Sequence, residues 1–189
     1  MGAWLLVVVE RRGAWGGARF AHARRMNATT LLTKQHRKAE ALFKKLESAK
    51  SNASSIVMEL ATDLAAHMVI EEEIFYPAAK KVKKDLVLES YEEHALAEYG
   101  LQRLVAADPA AESFEAKVTA LKELIEHHVE EEEEDLFPKV AKALGDEENE
   151  ALGMKMKARF DEIVEAGYEK ALARTKAMHT NGARARAPK

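Results

Sequence analysis

A duplicated helical element with His-x-x-x-Glu spacing constrains the fold of this chain more than any other feature. The stretch HMVIEEEIFYP begins at His67 and the stretch HVEEEEEDLFP begins at His128. Each has histidine first, glutamate fifth and proline eleventh. Upstream, QHRKAEALFKKL contains His36 and EHALAEYGLQRL contains His94, each followed four residues later by glutamate. The chain therefore uses one unit twice: a helix with a histidine, then a helix with His-x-x-x-Glu.

Apolar residues around these motifs recur three or four positions apart, which is the period of an α-helix. The spacing predicts helices over about 28–50, 54–83, 86–107, 111–144 and 147–178. Pro77 is expected to kink the second helix or to begin a new turn, and Gly145 is a natural residue to close the fourth. Four long helices with short links predict an all-α fold, an antiparallel up-down four-helix bundle with an additional C-terminal helix.

The composition supports a helical fold and excludes several kinds of site. Aromatic residues, which favour strands, make up only 6% of the chain. The chain has no cysteine, which excludes disulfides, thiolate zinc sites and cysteine nucleophiles. A net charge of −3 argues against nucleic acid as a partner. No run approaches the roughly 20 consecutive apolar residues of a membrane span, so we expect a cytoplasmic protein without a membrane partner.

The ends of the chain differ from its middle. Residues 1–25 are rich in arginine and glycine and contain one acidic residue; we interpret them as a disordered leader or as a start assigned upstream of Met26. The bundle is expected to occupy 26–145 and the additional helix 146–178. Residues 179–189 form a basic tail, which we interpret as a solvated terminus.

Residues four apart on a helix share one face, so a histidine and a glutamate at this spacing can converge on one cation. The candidate ligands that face the bundle core are His36, His67, Glu71, His94, His128 and Glu132. Imidazole and carboxylate without sulfur favour iron, with manganese or zinc as less favoured metals. Two carboxylates that bridge would hold two metals about 3.5–4 Å apart.

Ordinary surface ion pairs also show this spacing, so any one pair would be a weak signal. Five of the seven histidines have glutamate four residues on, and two recur at matched distances from phenylalanine and proline, which favours a metal site. His127 has no counterpart in the first repeat, where Ala66 stands, so it is expected to be exposed or to support a ligand. Phe75, Tyr76 and Phe137 are expected to be core residues.

The motifs together resemble the hemerythrin-like, or HHE cation-binding, family over about residues 28–144. The resemblance implies a four-helix bundle around a non-haem, carboxylate-bridged site for two iron ions. By position it implies His36 and His67 on one iron, His94 and His128 on the other, and Glu71 and Glu132 as bridges. Ferritin-like bundles use Glu-x-x-His instead, and no histidine here has glutamate three residues before it.

One position departs from the oxygen-carrying members of that family, which have a histidine where this chain has Glu98. Glu98 is therefore a candidate additional ligand, and a further carboxylate would favour ferric iron over reversible oxygen carriage. The ligand pattern also resembles bacterial di-iron proteins linked to nitric oxide response and repair of iron–sulfur clusters. Those proteins have a cysteine-bearing N-terminal region, and this chain has no cysteine.

The resulting functional hypothesis is a di-iron protein that binds, senses or reacts with O2, NO or peroxide. Its partner would be that small diatomic or peroxide ligand at the metal, and binding is favoured over dedicated enzymatic turnover. Two alternatives stay open. One is iron storage, homeostasis or iron donation for repair without gas chemistry. The other is a metal-free helical interaction module that uses the acidic bundle and the fifth helix.

Overall fold

The computed structural model describes residues 26–49 and 51–176. The leader and the basic tail expected from the sequence, together with residues 50, 177 and 178, lie outside this part of the chain. The elements are α1 Ala28–Ser48, α2 Ala53–Ile70, π1 Glu71–Phe75, α3 Tyr76–Ala79, α4 Lys84–Val105, α5 Phe114–Glu131, π2 Glu132–Leu136 and α6 Phe137–Ala166. Residues 168–176 are also helical. Every regular element of the described residues is helical, which confirms the predicted class.

Four helical columns form the bundle: α1, α2 continued by π1 and α3, α4, and α5 continued by π2 and the start of α6. The helix α1 packs against α2 and α6, and α4 packs against α5 and α2. Short links between these columns force neighbouring helices to run antiparallel. Their apolar stripes bury Leu32, Phe43, Leu60, Leu101 and Leu136 in one core. The predicted up-down bundle is therefore confirmed.

The second column is the most apolar part of the described chain. The stretch Ala53–Ala79 is 27 residues long, and by length and composition it could cross a bilayer. In the bundle, however, 67% of its most apolar window is buried. A central helix contacted by its neighbours on several sides is apolar around most of its circumference, so packing accounts for this composition.

Within the described residues, two five-residue π-helical segments interrupt the second and fourth columns, and each begins at a predicted ligand. The N–H of Tyr76 donates to the carbonyl of Glu71, five residues back, and the N–H of Phe137 donates to the carbonyl of Glu132. A proline then occupies the first turn of the following α-helix, where its missing N–H costs little. The kink expected at Pro77 thus takes the form of a π-helical turn just before it.

Gly145 interrupts α6 and turns the chain back along the bundle. Its φ of 72° is in the left-handed region that favours glycine, which agrees with the predicted end of a helix there. After this kink, Asn149 Oδ1 accepts a hydrogen bond of 3.1 Å from the N–H of Ala28, at the start of α1. At Gly153 the two backbones approach so closely that an added Cβ would lie 2.5 Å from the carbonyl oxygen of Met26. The segment after the kink is therefore packed onto the bundle.

The fifth helix is divided, in contrast to the continuous helix predicted over 147–178. Gly167 has a φ of 85°, and its N–H donates to the carbonyls of Ile163 and Val164 at 3.1 and 3.2 Å. This is the ending of a helix at a left-handed glycine. The apolar positions Phe160, Val164 and Tyr168 lie four residues apart across the break, so the helical spacing of the sequence gives no sign of it.

Candidate metal centre

The six predicted ligands meet at the centre of the bundle. One group of ligand atoms comes from His36, His67, Glu71 and Glu132, and a second comes from Glu71, His94 and His128. Within each group the atoms lie within 4.8 Å of one another. All six side chains are buried. Glu71 belongs to both groups and therefore connects them.

The histidines form two pairs, each drawn from adjacent helices. The Nε2 atoms of His36 on α1 and His67 on α2 lie 3.2 Å apart. The Nε2 atoms of His94 on α4 and His128 on α5 are also 3.2 Å apart. In both pairs the rings meet edge to face with centroids 4.8 Å apart. The two copies of the sequence repeat thus build two similar half-sites.

The two carboxylates lie between these pairs. Glu71 Oε2 is 3.0 Å from Nε2 of His67 and 3.3 Å from Nε2 of His94. Glu132 Oε2 is 3.5 Å from Nε2 of His36 and 3.6 Å from Nε2 of His128. Each carboxylate therefore approaches one histidine of each pair, which is the position a bridging ligand needs.

In each of the four histidines, the N–H at the other ring nitrogen, Nδ1, donates a hydrogen bond to a side-chain oxygen. The contacts are His36 to Glu133 at 2.8 Å, His67 to Gln35 at 2.8 Å, His94 to Glu72 at 3.0 Å and His128 to Glu93 at 2.7 Å. Because an ionised carboxylate and an amide oxygen both only accept hydrogen bonds, Nδ1 carries the hydrogen. The lone pair of each neutral imidazole is then on Nε2 and faces the centre, as in histidines that bind metals.

The donor set fits a cation. Both oxygens of Glu71 and Oε2 of Glu132 are buried and have no hydrogen-bond donor among the described residues. A buried polar group without a partner costs about 1–3 kcal/mol, and a charged one costs more. Four imidazole nitrogens and two carboxylates without sulfur suit iron, manganese or zinc. Metal ions between the two histidine pairs would satisfy the carboxylate oxygens and the Nε2 lone pairs together.

Burial and mutual charge separate the pKa values of these groups. Burial, together with the charge of a neighbouring imidazole, lowers the pKa of His36 to about 2. Burial opposes the charged form of His94 as well, but the neighbouring carboxylates of Glu71 and Glu72 raise its pKa to about 9. Despite burial, two imidazoles hold the pKa of Glu71 well below its usual value, whereas burial and the charge of Glu71 raise that of Glu132. Without metal, protons therefore occupy part of the centre.

Tyr76 contacts the centre in a way that the sequence analysis missed. Its buried hydroxyl donates to Glu132 Oε1 at 3.0 Å and lies 3.1 Å from Nε2 of His94. Burial and the charge of Glu132 raise the pKa of Tyr76 well above its usual value, so the hydroxyl keeps its proton. In the second repeat the matching residue is Phe137, whose ring stacks on His36 with centroids 5.7 Å apart. The Tyr/Phe difference before the two prolines was the available signal.

Two other polar residues of the motifs lie outside the centre. Glu98, the candidate additional ligand, is buried and accepts a hydrogen bond of 2.9 Å from Gln102 Nε2, but it belongs to neither group of converging ligand atoms. His127 is 60% exposed, and its Nε2 lies 3.9 Å from Glu93 and 3.8 Å from Glu131. His127 therefore lies on the surface beside the site.

A cavity of about 30 Å³ reaches the four histidines. Its other walls include the apolar side chains of Leu64, Ile125 and Phe160. At its rim the ammonium of Lys38 lies 2.5 Å from the carboxylate of Asp63. A cavity of this size suits a ligand of few atoms.

A helical bundle with buried histidines and glutamates converging from all four of its columns defines a metal-binding bundle. The chain belongs to the hemerythrin HHE cation-binding domain family, whose match covers residues 27–140. This confirms the resemblance inferred from the four motifs.

The chain is also similar to other proteins over most of its length. The chain is 29% identical over 143 residues to a DNA nickase of Nostoc, covering 73% of this chain and 40% of the nickase. It is 28% identical over 142 residues to an uncharacterized protein of Mycobacterium tuberculosis, covering 73% of this chain and 88% of the relative. The chain thus spans less than half of the nickase but most of the mycobacterial protein.

A solved structure has the same architecture. It is a hemerythrin HHE cation-binding domain-containing protein of Mycobacterium kansasii, 27% identical, with a TM-score of 0.69. The similarity covers 79% of this chain and 98% of that chain. The two proteins therefore share the helical bundle over nearly the whole length of the mycobacterial protein.

Proposed function

We propose that the chain is a cytoplasmic non-haem di-iron protein that binds, senses or reacts with O2, NO or peroxide. The observation that carries the proposal is the convergence of four Nε2 atoms and two carboxylates, with each Nδ1 hydrogen-bonded to a side-chain oxygen. His36 and His67 would hold one iron, His94 and His128 the other, and the two glutamates would bridge them.

The ligand count favours iron over zinc. Two imidazoles and two shared carboxylates give each metal about four protein ligands. Structural zinc sites are closed at four ligands, whereas iron commonly keeps further positions open for small molecules. Bound iron would supply the redox and ligand-binding chemistry. The chain would orient the iron ligands, keep bulk water out through its apolar cavity walls and offer the Tyr76 hydroxyl as a hydrogen-bond donor.

The buried carboxylates argue against a metal-free interaction module. Such a module would keep Glu71 buried beside Glu132 with oxygens that have no donor among the described residues. In such a module only protons would compensate this buried charge, which is costly to bury, whereas metal ions would satisfy the carboxylates and the Nε2 lone pairs together. The size of the cavity in turn favours a diatomic or peroxide ligand over a larger substrate.

Metal analysis tests the first half of the proposal. After iron-replete anaerobic growth, the purified full chain should hold about two irons and gain a near-ultraviolet charge-transfer band on oxidation. His67→Ala should lower the iron content strongly. The matched control is His127→Ala, because His127 also has a glutamate four residues on but is exposed, and this variant should keep its iron. Wild-type protein with less than about half an iron per chain would contradict the proposal.

A reactivity screen tests the second half. The di-ferrous protein is mixed separately with O2, NO and hydrogen peroxide while its absorption spectrum is followed. A spectral change with at least one of them is the expected result. An iron-loaded protein that responds to none of the three would instead support iron storage or donation.

A further inference from the structure

Phe160 forms part of the wall of the cavity that reaches the four histidines. It comes from the part of α6 after the kink at Gly145, beyond residues 27–140 that match the family. The helix α6 as a whole packs against α1 and α2, and the cavity is also lined by Ala39 of α1 and Leu64 of α2. Phe160 therefore forms the part of the cavity wall that α6 contributes.

Two ion pairs anchor this segment and the short helix after it to π1. Arg159 Nε lies 2.8 Å from Glu73 Oε2, and Arg174 Nε lies 2.5 Å from Glu73 Oε1. Glu73 belongs to π1 and lies two residues after the candidate ligand Glu71. The neighbour of Phe160 in the chain is thus anchored to the turn that carries a ligand.

The anchor on Glu73 is specific to the first copy of the repeat. The residue that matches Glu73 in the second repeat is Glu134, which is exposed. The rim of the cavity also carries charged groups: the ammonium of Lys38 lies 2.5 Å from the carboxylate of Asp63 and 3.2 Å from that of Glu59. One ammonium against two carboxylates leaves no excess positive charge there to attract an anion.

We propose that Phe160 is a specificity-determining residue: its ring limits access to the centre to small uncharged molecules and excludes organic hydroperoxides. The identity of the ligand rests on the function proposed above, whereas the role of Phe160 as a barrier does not. The two parts therefore have separate experiments.

Chemical modification of the metal-free full chain tests the barrier. Diethyl pyrocarbonate acylates reachable histidines, and mass spectrometry measures the rate at each one. In the wild type, exposed His127 should react quickly while His36 and His67 stay protected. Phe160→Ala should raise the rates at His36 and His67 by about tenfold or more, which corresponds to a barrier lowered by about 1.4 kcal/mol. The rate at His127 should not change.

Two further variants keep this test decisive. Leu152→Ala is the control, because Leu152 also packs partly buried on the core from α6 but does not line the cavity. Phe160→Leu keeps an apolar side chain and should fall between the wild type and Phe160→Ala. Equal protection in Phe160→Ala and the wild type would overturn the proposal, as would an equal loss of protection in Leu152→Ala.

The iron-loaded protein tests selectivity with hydrogen peroxide and tert-butyl hydroperoxide. The wild type should react with the first at least about tenfold faster, and Phe160→Ala should narrow this ratio. A wild type that reacts equally fast with both would overturn the role of Phe160 as a size limit. If neither peroxide reacts with any variant while the modification rates follow the expected order, the proposed peroxide chemistry fails and the barrier is supported.

Discussion

Glu133 accepts a hydrogen bond of 2.8 Å from Nδ1 of His36, although the two residues lie 97 positions apart in the chain. The first repeat contains the matching contact, in which Glu72 accepts from Nδ1 of His94 at 3.0 Å. In both cases the acceptor directly follows a candidate bridging glutamate and holds a histidine of the other half-site. Each half-site is therefore oriented in part by the other.

Replacing Glu133 with glutamine should weaken metal binding. Loss of a carboxylate that orients a metal-binding histidine typically costs about 10–100-fold in affinity. The affinity is measured by competition with a chelator of known strength. Glu134→Gln is the matched control, because it removes the same charge from the exposed next residue and should change the affinity little. Equal losses in the two variants would show that net charge, and not the orientation of His36, controls binding.

Removal of the Tyr76 hydroxyl should destabilise the metal-free fold. Tyr76→Phe leaves Glu132 Oε1 without its buried donor, which should lower the free energy of unfolding by about 1–3 kcal/mol. Denaturant unfolding measures the change. The control is Tyr168→Phe, because the buried hydroxyl of Tyr168 has no hydrogen-bond partner in the described part of the chain; its change should stay within about 0.5 kcal/mol. Similar effects in both variants would contradict the assigned role of Tyr76.

Metal removal should lower thermal stability. A ligand that binds the native state at 100 times its Kd stabilises that state by about 2.7 kcal/mol, so chelation should lower the Tm of the wild type. Differential scanning calorimetry with and without iron measures this increment. His67→Ala should lose it, while His127→Ala should retain it. An unchanged Tm of the wild type on loading and removal of iron would contradict a centre that metal organises.

Alanine at Gly153 should destabilise the chain strongly. Its Cβ would lie 2.5–2.7 Å from backbone atoms of residues 26–28, and overpacking of this kind costs about 1–3 kcal/mol or more. Gly100→Ala is the control, because the nearest atom to its Cβ is the mobile Cδ1 of Leu121 at 3.1 Å. There the higher helix propensity of alanine should offset the contact. Thermal unfolding that ranks Gly100→Ala below Gly153→Ala would contradict the close backbone approach.

Much of the centre could be predicted because helical geometry is local. A period of 3.6 residues brings His67 and Glu71 to one face, and the repeat then brings His128 and Glu132 to the matching face. Helical spacing could not predict the separate contacts of the three consecutive residues Glu71, Glu72 and Glu73. These three consecutive side chains contact the centre, His94 and Arg159, respectively. The last two contacts depend on long-range packing.

The contacts of the C-terminal segment also depend on long-range packing. Asn149 caps α1 and Phe160 lies at the cavity. The residues around these two positions in the sequence do not predict either contact. Gly153 gives no local signal either, because an isolated glycine is tolerated inside a helical pattern and its close approach to another backbone is visible only in the folded chain. A chain that reads as a bundle plus an added helix is therefore one packed unit from Ala28 to Ala166.

Each of the two π-helical turns takes up one extra residue within a single turn of the helix. The N–H of Tyr76, five residues after Glu71, therefore bonds to the carbonyl that the residue four positions on would reach in an α-helix. At π1 the extra residue thus places Tyr76, and not Phe75, one turn after Glu71. Deleting one residue between Glu71 and Tyr76 should restore an α-helical turn and keep the tyrosine in this place, while the His67–Glu71 spacing stays intact. The length of the turn and the spacing of the ligands can therefore change independently of each other.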